Sequence, residues 1–420
     1  MLRLKEEISV TVSFSIWIKW EIKDELMGVK DNQKISIIVS DLSQSGAGRW
    51  GGAVRPFLLA QALSQLGYEV EILGFSHDQT PISTSFDFPV TVLAGGHYPK
   101  FFKSAQQLLA KIDGDIVYAY KLKPSSYGLA LIDKLRTKRP LLLDIDDWEL
   151  SWHGGDRWRY RPSFQQLARD LLRRDGALRN PDYPLYLSWI EKWVAWADCT
   201  TLHSQFLKKR FGGVYIPNGK DITLFDPSRY DPESSRRRYG LSDYRVLMFP
   251  GAPRPYKGLE DVLAALDQLN EPDLKLVIVG GSPYDDYDDR LMQKWGRWII
   301  QLPKFSYSVM PDVIAAAHIV VVPQQNAPAA QAQFPLKLTD GMAMAKPILA
   351  TRVGDIPEIL GNTGFLVEPG SPSQIATEIQ WIFQHLDDAN TRGLEARKRC
   401  VKHYSIDAMA ALLSSVFAEL

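Results

Sequence analysis

The chain has 420 residues, and single hydrophobic cores stop growing at roughly 250 to 300 residues, so its length favours two domains. Apolar residues make up 45% and charged residues 23%, which excludes a largely disordered or fibrous chain, and the balance of 49 basic and 49 acidic residues suits no nucleic-acid partner. Cys199 and Cys400 are too far apart in sequence to form a disulfide framework or a metal-binding pair, which favours a reduced cytoplasmic compartment.

Residues 1–33 are predicted to be an extension outside the fold. Their apolar stretch, residues 8–20, is shorter than the roughly 20 residues needed to span a bilayer and is interrupted by Lys19. It also lacks the basic leader and small-residue cleavage site of a secretory signal. We therefore expect a cytoplasmic protein without a transmembrane segment, at most associated with the inner face of the cell membrane.

A repeating pattern of short apolar runs, turns and helical stretches begins at Lys34 and predicts parallel βα units. The first domain is predicted to cover residues 34–215. Its first helix, 55–66, ends at Gly67, a typical C-terminal capping residue. Its predicted strands are 35–40, 69–75, 90–93, 116–120, 141–145 and 199–202.

The pattern restarts in the second half and predicts a second doubly wound domain over residues 216–400. Uninterrupted apolar runs there suit strands that are covered by helices on both faces. Ligands of such sheets bind at the carboxyl ends of the strands. The predicted strands of this half are 215–217, 246–250, 274–280, 298–302, 319–323 and 348–351.

Residues 148–180 depart from this rhythm and form a predicted insertion in which aromatic residues alternate with arginines. One interpretation is a helical excursion that caps the sheet. Another is a surface for an acceptor or a membrane. Arginine and aromatic side chains together suit nucleic acid or phospholipid, so the segment alone does not decide between these interpretations.

A glycine-rich segment follows the first predicted strand. Gly46, Gly48 and Gly51 satisfy the G-x-G-x-x-G spacing of dinucleotide sites, but the segment 43–45 intervenes before them and no acidic residue closes the second strand. Glycines before a helix also let backbone N–H groups approach an anion. An anion-binding loop and a flexible loop are therefore both retained as interpretations.

Two further segments place cations beside predicted strand ends. Arg254 and Lys257 follow the strand 246–250 in a loop stiffened by prolines, where they could hold a diphosphate. Pro335 is predicted to begin a helix that directs Lys337 toward the same anion. Asp340, further along this helix, is placed to accept hydrogen bonds from a ribose.

Taken together, these segments resemble glycosyltransferase family 4, a retaining family with the GT-B fold, in which two Rossmann-like doubly wound domains face each other across a cleft. The similarity covers the chain from about Lys34 onward, and the ordered series of motifs is more specific than any one of them. Its segments are 51–55, 63–70, 217–225, 251–258, 279–281, 315–323 and 340–358.

This resemblance implies transfer of a sugar from a nucleoside diphosphate sugar, UDP- or GDP-linked, to a hydroxyl of a glycan or lipid acceptor. It implies that Arg254 and Lys257 neutralise the diphosphate as it leaves, in place of a metal. It also implies that residues 401–420 pack back on the first domain as a helix. The donor-binding residues that follow are Gly51, Gly52, Arg254, Lys257, Leu336, Lys337 and Asp340.

The chain departs from the family pattern at four positions. Ala332 replaces a glutamate, Pro335 a glycine, Asp340 a glutamate and Asp146 a histidine. Asp146 is predicted to orient the acceptor hydroxyl or accept its proton, which makes it a catalytic candidate beside Arg254 and Lys257. The alternative for Asp146 is a capping residue in an acidic turn.

Other functions are left open by the sequence. A nucleotide-sugar epimerase of the same fold would need no acceptor, and a nucleotide-sugar-binding protein without turnover would fit the replacement of the family glutamate. An NAD-dependent oxidoreductase has the glycine spacing in its favour. The acidic run 285–289 is interpreted as a solvated loop, because it lacks the ligand spacing of a calcium loop.

Overall fold

The computed structural model describes residues 33–43, 54–77, 88–282 and 285–420. Gly51 and Gly52, the rest of the glycine-rich segment and the predicted N-terminal extension up to residue 32 lie outside the described residues. Within the described ranges, no helix is both long enough and apolar enough to cross a bilayer.

The first domain is built on a seven-stranded parallel sheet with the order β3-β2-β1-β4-β5-β6-β7. The apolar run of β1 is buried on both faces, as expected for a central strand between layers of helices. Its strands are β1 Lys34–Val39, β2 Glu69–Ser76, β3 Val90–Ala94, β4 Ile116–Tyr120, β5 Leu141–Ile145, β6 Cys199–Leu202 and β7 Val214–Tyr215.

The second domain repeats this arrangement in a six-stranded parallel sheet with the order β10-β9-β8-β11-β12-β13. In both sheets the order of the strands reverses between the first and the fourth strand of the domain, β1 and β4 in one and β8 and β11 in the other. This is the Rossmann arrangement, and it places a ligand crevice at the carboxyl ends of those strands. The strands are β8 Arg245–Pro250, β9 Leu274–Val279, β10 Ile299–Leu302, β11 Ile319–Val322, β12 Ile348–Thr351 and β13 Phe365–Val367.

Helices cover both sheets. Those of the first domain are α1 Val54–Gln65, α2 Lys100–Leu109, α3 Leu129–Thr137, α4 Phe164–Leu172, α5 Pro184–Ile190 and α6 Gln205–Phe211. Those that follow are α7 Pro232–Arg238, α8 Leu259–Leu269, α9 Tyr287–Trp295, α10 Met310–Ala315, α11 Pro328–Ala332, α12 Leu336–Ala343, α13 Ile356–Leu360, α14 Pro372–Gln384, α15 Leu386–Tyr404 and α16 Ile406–Ala418.

Two strand predictions need correction. Val214–Tyr215 pairs with β6, so this strand closes the first sheet, whereas the sequence interpretation had it open the second half. The strand β13, Phe365–Val367, was not predicted, because three residues are too few to give a periodic signal.

The chain passes between the domains twice, and the two passages are bonded to each other. The Lys220 N–H donates to the Tyr404 carbonyl at 2.7 Å, and the Ile406 N–H donates to the Lys220 carbonyl at 3.1 Å. After this crossing α16 packs against α1 of the first domain, where Met409 and Leu413 are buried in the core. The last helix of the chain is therefore part of the first domain.

Candidate functional site

A cleft of about 690 Å³ lies between the two domains, at the carboxyl ends of both sheets. Residues from both domains line it, and Arg254, Lys257, Leu336, Lys337, Asp340 and Asp146 are among them, so the described members of the predicted site come together. Further residues of the lining are Lys121, Lys123, Asp147, Trp152, His203, Lys220, Tyr256 and Tyr307.

The loop after β8 positions two of the cations. Gly258 ends this loop with φ +70° and begins α8, and a Cβ atom there would lie 1.8 Å from the Pro323 carbonyl oxygen, so only glycine fits. The loop is thereby held against the end of β11. Lys257 Nζ turns back and donates to the Ala252 carbonyl at 2.8 Å, while Arg254 faces the cleft.

Lys337 joins this group from the first turn of α12. Pro335 is the residue that caps this helix, and Leu336 begins it, one residue later than predicted. Lys337 Nζ lies 4.5 Å from the centre of the Phe249 ring. The lysine side chains of two neighbouring elements therefore line one end of the cleft together with Arg254.

The electrostatics of these lysines favour an anion. Burial lowers the pKa of Lys257 well below its usual value, and the nearby charges of Lys337 and Arg254 reinforce the shift. Burial also lowers the pKa of Lys337, to about 8, against the opposing charge of Asp340. A bound diphosphate would relieve the repulsion and stabilise the ammonium forms.

Asp340 has a partner that the sequence did not reveal. Lys220 Nζ donates to its Oδ1 atom, and the same ammonium lies 4.4 Å from the centre of the Phe225 ring. Burial works against the charge of Lys220, but Asp340 outweighs it and raises the pKa of the lysine. The carboxylate is thus held in place at the cleft and keeps Oδ2 for other contacts.

Asp146 lies across the cleft, directly after β5. Lys121 Nζ is 3.2 Å from its Oδ1 atom, and the Tyr120 hydroxyl donates to Oδ2. Burial raises the pKa of Asp146, although Lys121 opposes the shift. The side chain is therefore held by two neighbours where it lines the cleft.

A second carboxylate, Asp147, lines the cleft next to Asp146. Trp152 Nε1 donates to its Oδ2 atom at 2.9 Å, and among the described residues its buried Oδ1 atom has no hydrogen-bond partner. Burial raises the pKa of Asp147 to about 7. The Trp152 ring lies 5.6 Å from the Tyr256 ring, so the predicted insertion reaches the loop of the second domain.

Below the cleft residues Asp146 and Asp147, a buried ion pair connects the start of α1 to β5. Arg55 donates through Nε and Nη2 to the two carboxylate oxygens of Asp144 at 2.6 and 2.7 Å, and through Nη1 to Asn218 Oδ1 at 2.9 Å. Thr201 Oγ1 donates to Asp144 Oδ2 at 2.7 Å. The network holds the start of α1 in place, where the described chain resumes after the glycine-rich segment.

His203, at the end of β6, is a cleft residue that the sequence interpretation did not consider. Its Nδ1 lies 3.4 Å from Asn218 Nδ2, and its ring lies 6.1 Å from that of Phe334 in the second domain. Burial lowers its pKa well below the usual value, and the charge of Arg55 acts in the same direction. Its only signal in the sequence was its position after an apolar strand.

The departures from the family pattern have simple structural settings. Ala332 is fully buried and packs with the core of the first domain, where a carboxylate would be removed from water. In the acidic run 285–289, Ser282 Oγ donates to Asp285 at 2.6 Å and the Ser282 N–H to Asp288 at 3.0 Å. No cluster of three or more metal-ligating side chains occurs among the residues described.

Comparison of the fold with solved structures agrees with this architecture. A sucrose-phosphate synthase from Thermosynechococcus elongatus superposes with a TM-score of 0.71 over 92% of this chain and 98% of its own, at 20% identity. A glycosyltransferase from Rickettsia africae gives 0.69 over 93% and 99%, at 18% identity. The Anabaena protein HepE, solved with UDP-glucose, gives 0.68 over 92% and 100%, at 18% identity. The predicted GT-B fold is confirmed.

In the comparison of sequences, the family match lies in the second domain. Residues 244–385 match the family described as Glycosyl transferases group 1. A D-inositol 3-phosphate glycosyltransferase of Corynebacterium glutamicum is 31% identical over 48% of this chain and 50% of its own length. A GDP-mannose-dependent phosphatidylinositol monomannoside mannosyltransferase of Mycolicibacterium smegmatis is 26% identical over 50% of this chain and 58% of its own. The chain spans about half the length of the curated relatives it matches.

Fold and site thus define a GT-B protein with a cation-lined cleft between two Rossmann-like domains. Residues 244–385 match the model of the group 1 glycosyl transferases, in agreement with the family resemblance predicted from the motifs.

Proposed function

We propose that this chain is a retaining glycosyltransferase that moves a sugar from a nucleoside diphosphate sugar, UDP- or GDP-linked, to a hydroxyl of a glycan or lipid acceptor. The observation that carries the proposal is the convergence of Arg254, Lys257 and Lys337 at one end of the cleft between the domains. The glycosyltransferase names of the relatives and the UDP-glucose bound to the Anabaena neighbour support the same chemistry.

In this proposal the second domain binds the donor. Arg254, Lys257 and Lys337 neutralise the charge that develops on the diphosphate as the glycosidic bond breaks, and Leu336 contacts the donor beside them. Asp340, held by Lys220, accepts hydrogen bonds from the ribose. Gly51 and Gly52, which lie outside the described residues, are assigned to the donor diphosphate by the family resemblance. Because side chains neutralise this charge, the proposed reaction does not depend on a metal.

The first domain binds the acceptor. Asp146 orients the acceptor hydroxyl or accepts its proton, and Lys121 and Tyr120 hold its carboxylate in position. Relatives named for inositol phosphate and phosphatidylinositol mannoside acceptors support a polyol or lipid-linked acceptor. Such an acceptor suits an enzyme of the cytoplasm that works at the inner face of the membrane.

The test is a thermal-shift screen of the purified protein against UDP, GDP, ADP and NAD, each with magnesium and with EDTA. A ligand at 100 times its Kd stabilises the folded state by about 2.7 kcal/mol, which corresponds to roughly 5 °C. We expect such a shift with one nucleoside diphosphate, unchanged by EDTA and lost in Lys257→Ala.

Lys257→Ala is a suitable variant because Lys257 is buried next to two other cations. Its removal therefore leaves no opposite charge without a partner. Lys398→Ala, an exposed lysine paired with Glu395, is the matched control and keeps the shift. A shift with NAD alone contradicts the proposal. Donor conversion without an acceptor indicates an epimerase, and binding with neither transfer nor hydrolysis indicates a binding protein.

A further inference from the structure

The helix α4, Phe164–Leu172, presents its apolar side to solvent. Phe164, Ala168, Leu171 and Leu172 lie within one arc of the helix, at the spacing i, i+4, i+7 and i+8. Phe164 is 93% exposed, Leu171 52% and Leu172 80%, and Ala168 is exposed as well. A helix that packs on a protein core would bury this arc.

The most buried residue of α4 is polar, and Leu167 beside it is half-buried. Asp170 is 4% exposed and is the buried residue of the helix. Its Oδ2 atom accepts a hydrogen bond from the Tyr160 hydroxyl at 2.9 Å. The domain therefore holds α4 by its acidic residue and leaves the apolar arc uncovered, which is the reverse of an ordinary surface helix.

The charges around the arc are mostly positive. Asp156, which pairs with Arg210, and Asp175 are exposed acidic residues at the two borders of the range 157–174. Within this range Asp170 is buried, and the six exposed charged side chains are arginines. They are Arg157, Arg159, Arg161, Arg169, Arg173 and Arg174. A flat anionic surface with an apolar layer beneath it complements this arrangement, because arginines attract the headgroups while the apolar side chains enter the acyl region.

The size of the arc argues against a protein partner as its occupant. Nine helical residues extend for roughly 13 Å. A stable protein interface buries about 800 Å² on each partner, which is far more than four side chains supply, and charged residues are depleted at interface cores. A bilayer needs no matching shape and accepts a short arc flanked by cations.

We propose that α4 is an interfacial helix that docks this protein on a membrane containing anionic phospholipid. The insertion that carries α4 also carries Trp152, which lies at the cleft against Tyr256, so the docking helix and part of the cleft wall belong to one segment of the chain. This deepens the proposed function by giving a lipid acceptor its route, but the docking itself requires no donor or acceptor.

The experiment is flotation of the purified full chain with vesicles of phosphatidylcholine alone or with 30 mol% phosphatidylglycerol. We expect binding to the anionic vesicles, weakened by salt because the arginine contribution is screened. The double variant Phe164→Ser/Leu172→Ser and the double variant Arg173→Glu/Arg174→Glu each weaken binding at least tenfold. Leu394→Ser and Leu412→Ser, at exposed leucines of α15 and α16, are matched controls and leave binding unchanged.

Three results would overturn the docking proposal. They are failure of the native protein to float with anionic vesicles, retention of binding in both double variants, and concentration-dependent dimers that disappear in Phe164→Ser/Leu172→Ser. The nucleotide thermal shift is measured on the same samples. A double variant that loses vesicles but keeps the nucleotide shift separates docking from donor binding, and vesicle binding without any nucleotide shift leaves docking standing while the proposed function fails.

Discussion

Lys220 links the crossing between the domains to the predicted nucleotide site, because its ammonium donates to the Asp340 carboxylate while its backbone is bonded to Tyr404 and Ile406. The side chain of Lys220 is 2% exposed and that of Asp340 15%, so the pair is almost removed from water. Removal of one partner from such a pair leaves a buried charge without compensation.

Lys220→Met is accordingly expected to lower the free energy of unfolding by about 3 kcal/mol, measured by urea denaturation. Lys220→Met/Asp340→Asn restores part of the loss, because both charges are then absent. Lys402→Met, at an exposed lysine of α15, is the control and changes stability little. Additive losses in the double variant would show that the pair is not coupled.

Nucleotide binding is expected to weaken as the pH rises above about 8, the pKa of Lys337. Below that pH the ammonium is charged and attracts the diphosphate, whereas above it the free protein must first take up a proton, so the apparent affinity falls by up to tenfold per pH unit. Isothermal titration of the nucleoside diphosphate between pH 7 and 9.5 measures this.

The same buried lysine has the opposite effect on the free protein. Its folded pKa is below its unfolded value, so the unfolded state binds more protons between pH 8 and about 10.4, and the contribution of Lys337 to stability increases as the pH rises through that window. Lys337→Met removes this rise in urea denaturation. An unchanged pH profile in Lys337→Met would show that another group is responsible.

Asp146→Asn separates the predicted acceptor role from a structural one. If the carboxylate accepts the hydroxyl proton, kcat falls by about 10²- to 10⁴-fold while the Kd of the donor nucleotide is unchanged. Release of nucleoside diphosphate with and without a polyol acceptor measures the first quantity, and titration measures the second. Equal losses of donor affinity and turnover would instead assign Asp146 to the architecture of the cleft.

Arg55→Met is expected to destabilise the protein by about 3 to 5 kcal/mol, since it leaves the fully buried Asp144 without its bidentate partner. Arg55→Lys recovers only part of this, because an ammonium cannot form the two parallel hydrogen bonds of a guanidinium. Arg136→Met, at an exposed arginine of the same domain, is the comparison in urea denaturation. A loss as small as that of Arg136→Met would contradict this assignment.

Most of the strands could be predicted from the sequence because they are buried on both faces. The run Ile319–Val322 is continuous and apolar, and such a run is a strong local signal. The assignment of Val214–Tyr215 to a sheet is different in kind, because it depends on pairing with β6 and not on the residues of the strand itself.

The site divides in the same way. Arg254, Lys257 and Lys337 could be predicted because each follows a recognisable strand end or helix start. The partners Lys220 and Asp340 are 120 residues apart in the chain, and Arg55 and Asp144 are 89 apart, so no local pattern connects them. Likewise, the sequence of α4 shows an amphipathic helix, but only the fold shows that its apolar side faces outward.

The contribution of α16 to the first domain has a consequence for the order in which the protein matures during translation. Met409 and Leu413 fill the same core as the first strands, although residues 406–418 follow the second domain in the chain and are synthesised after it. The first domain therefore leaves the ribosome with an apolar groove against α1 still open, and it waits for the entire second domain before that groove is filled. The first domain is therefore complete only after the second domain has been synthesised and α16 has packed against α1.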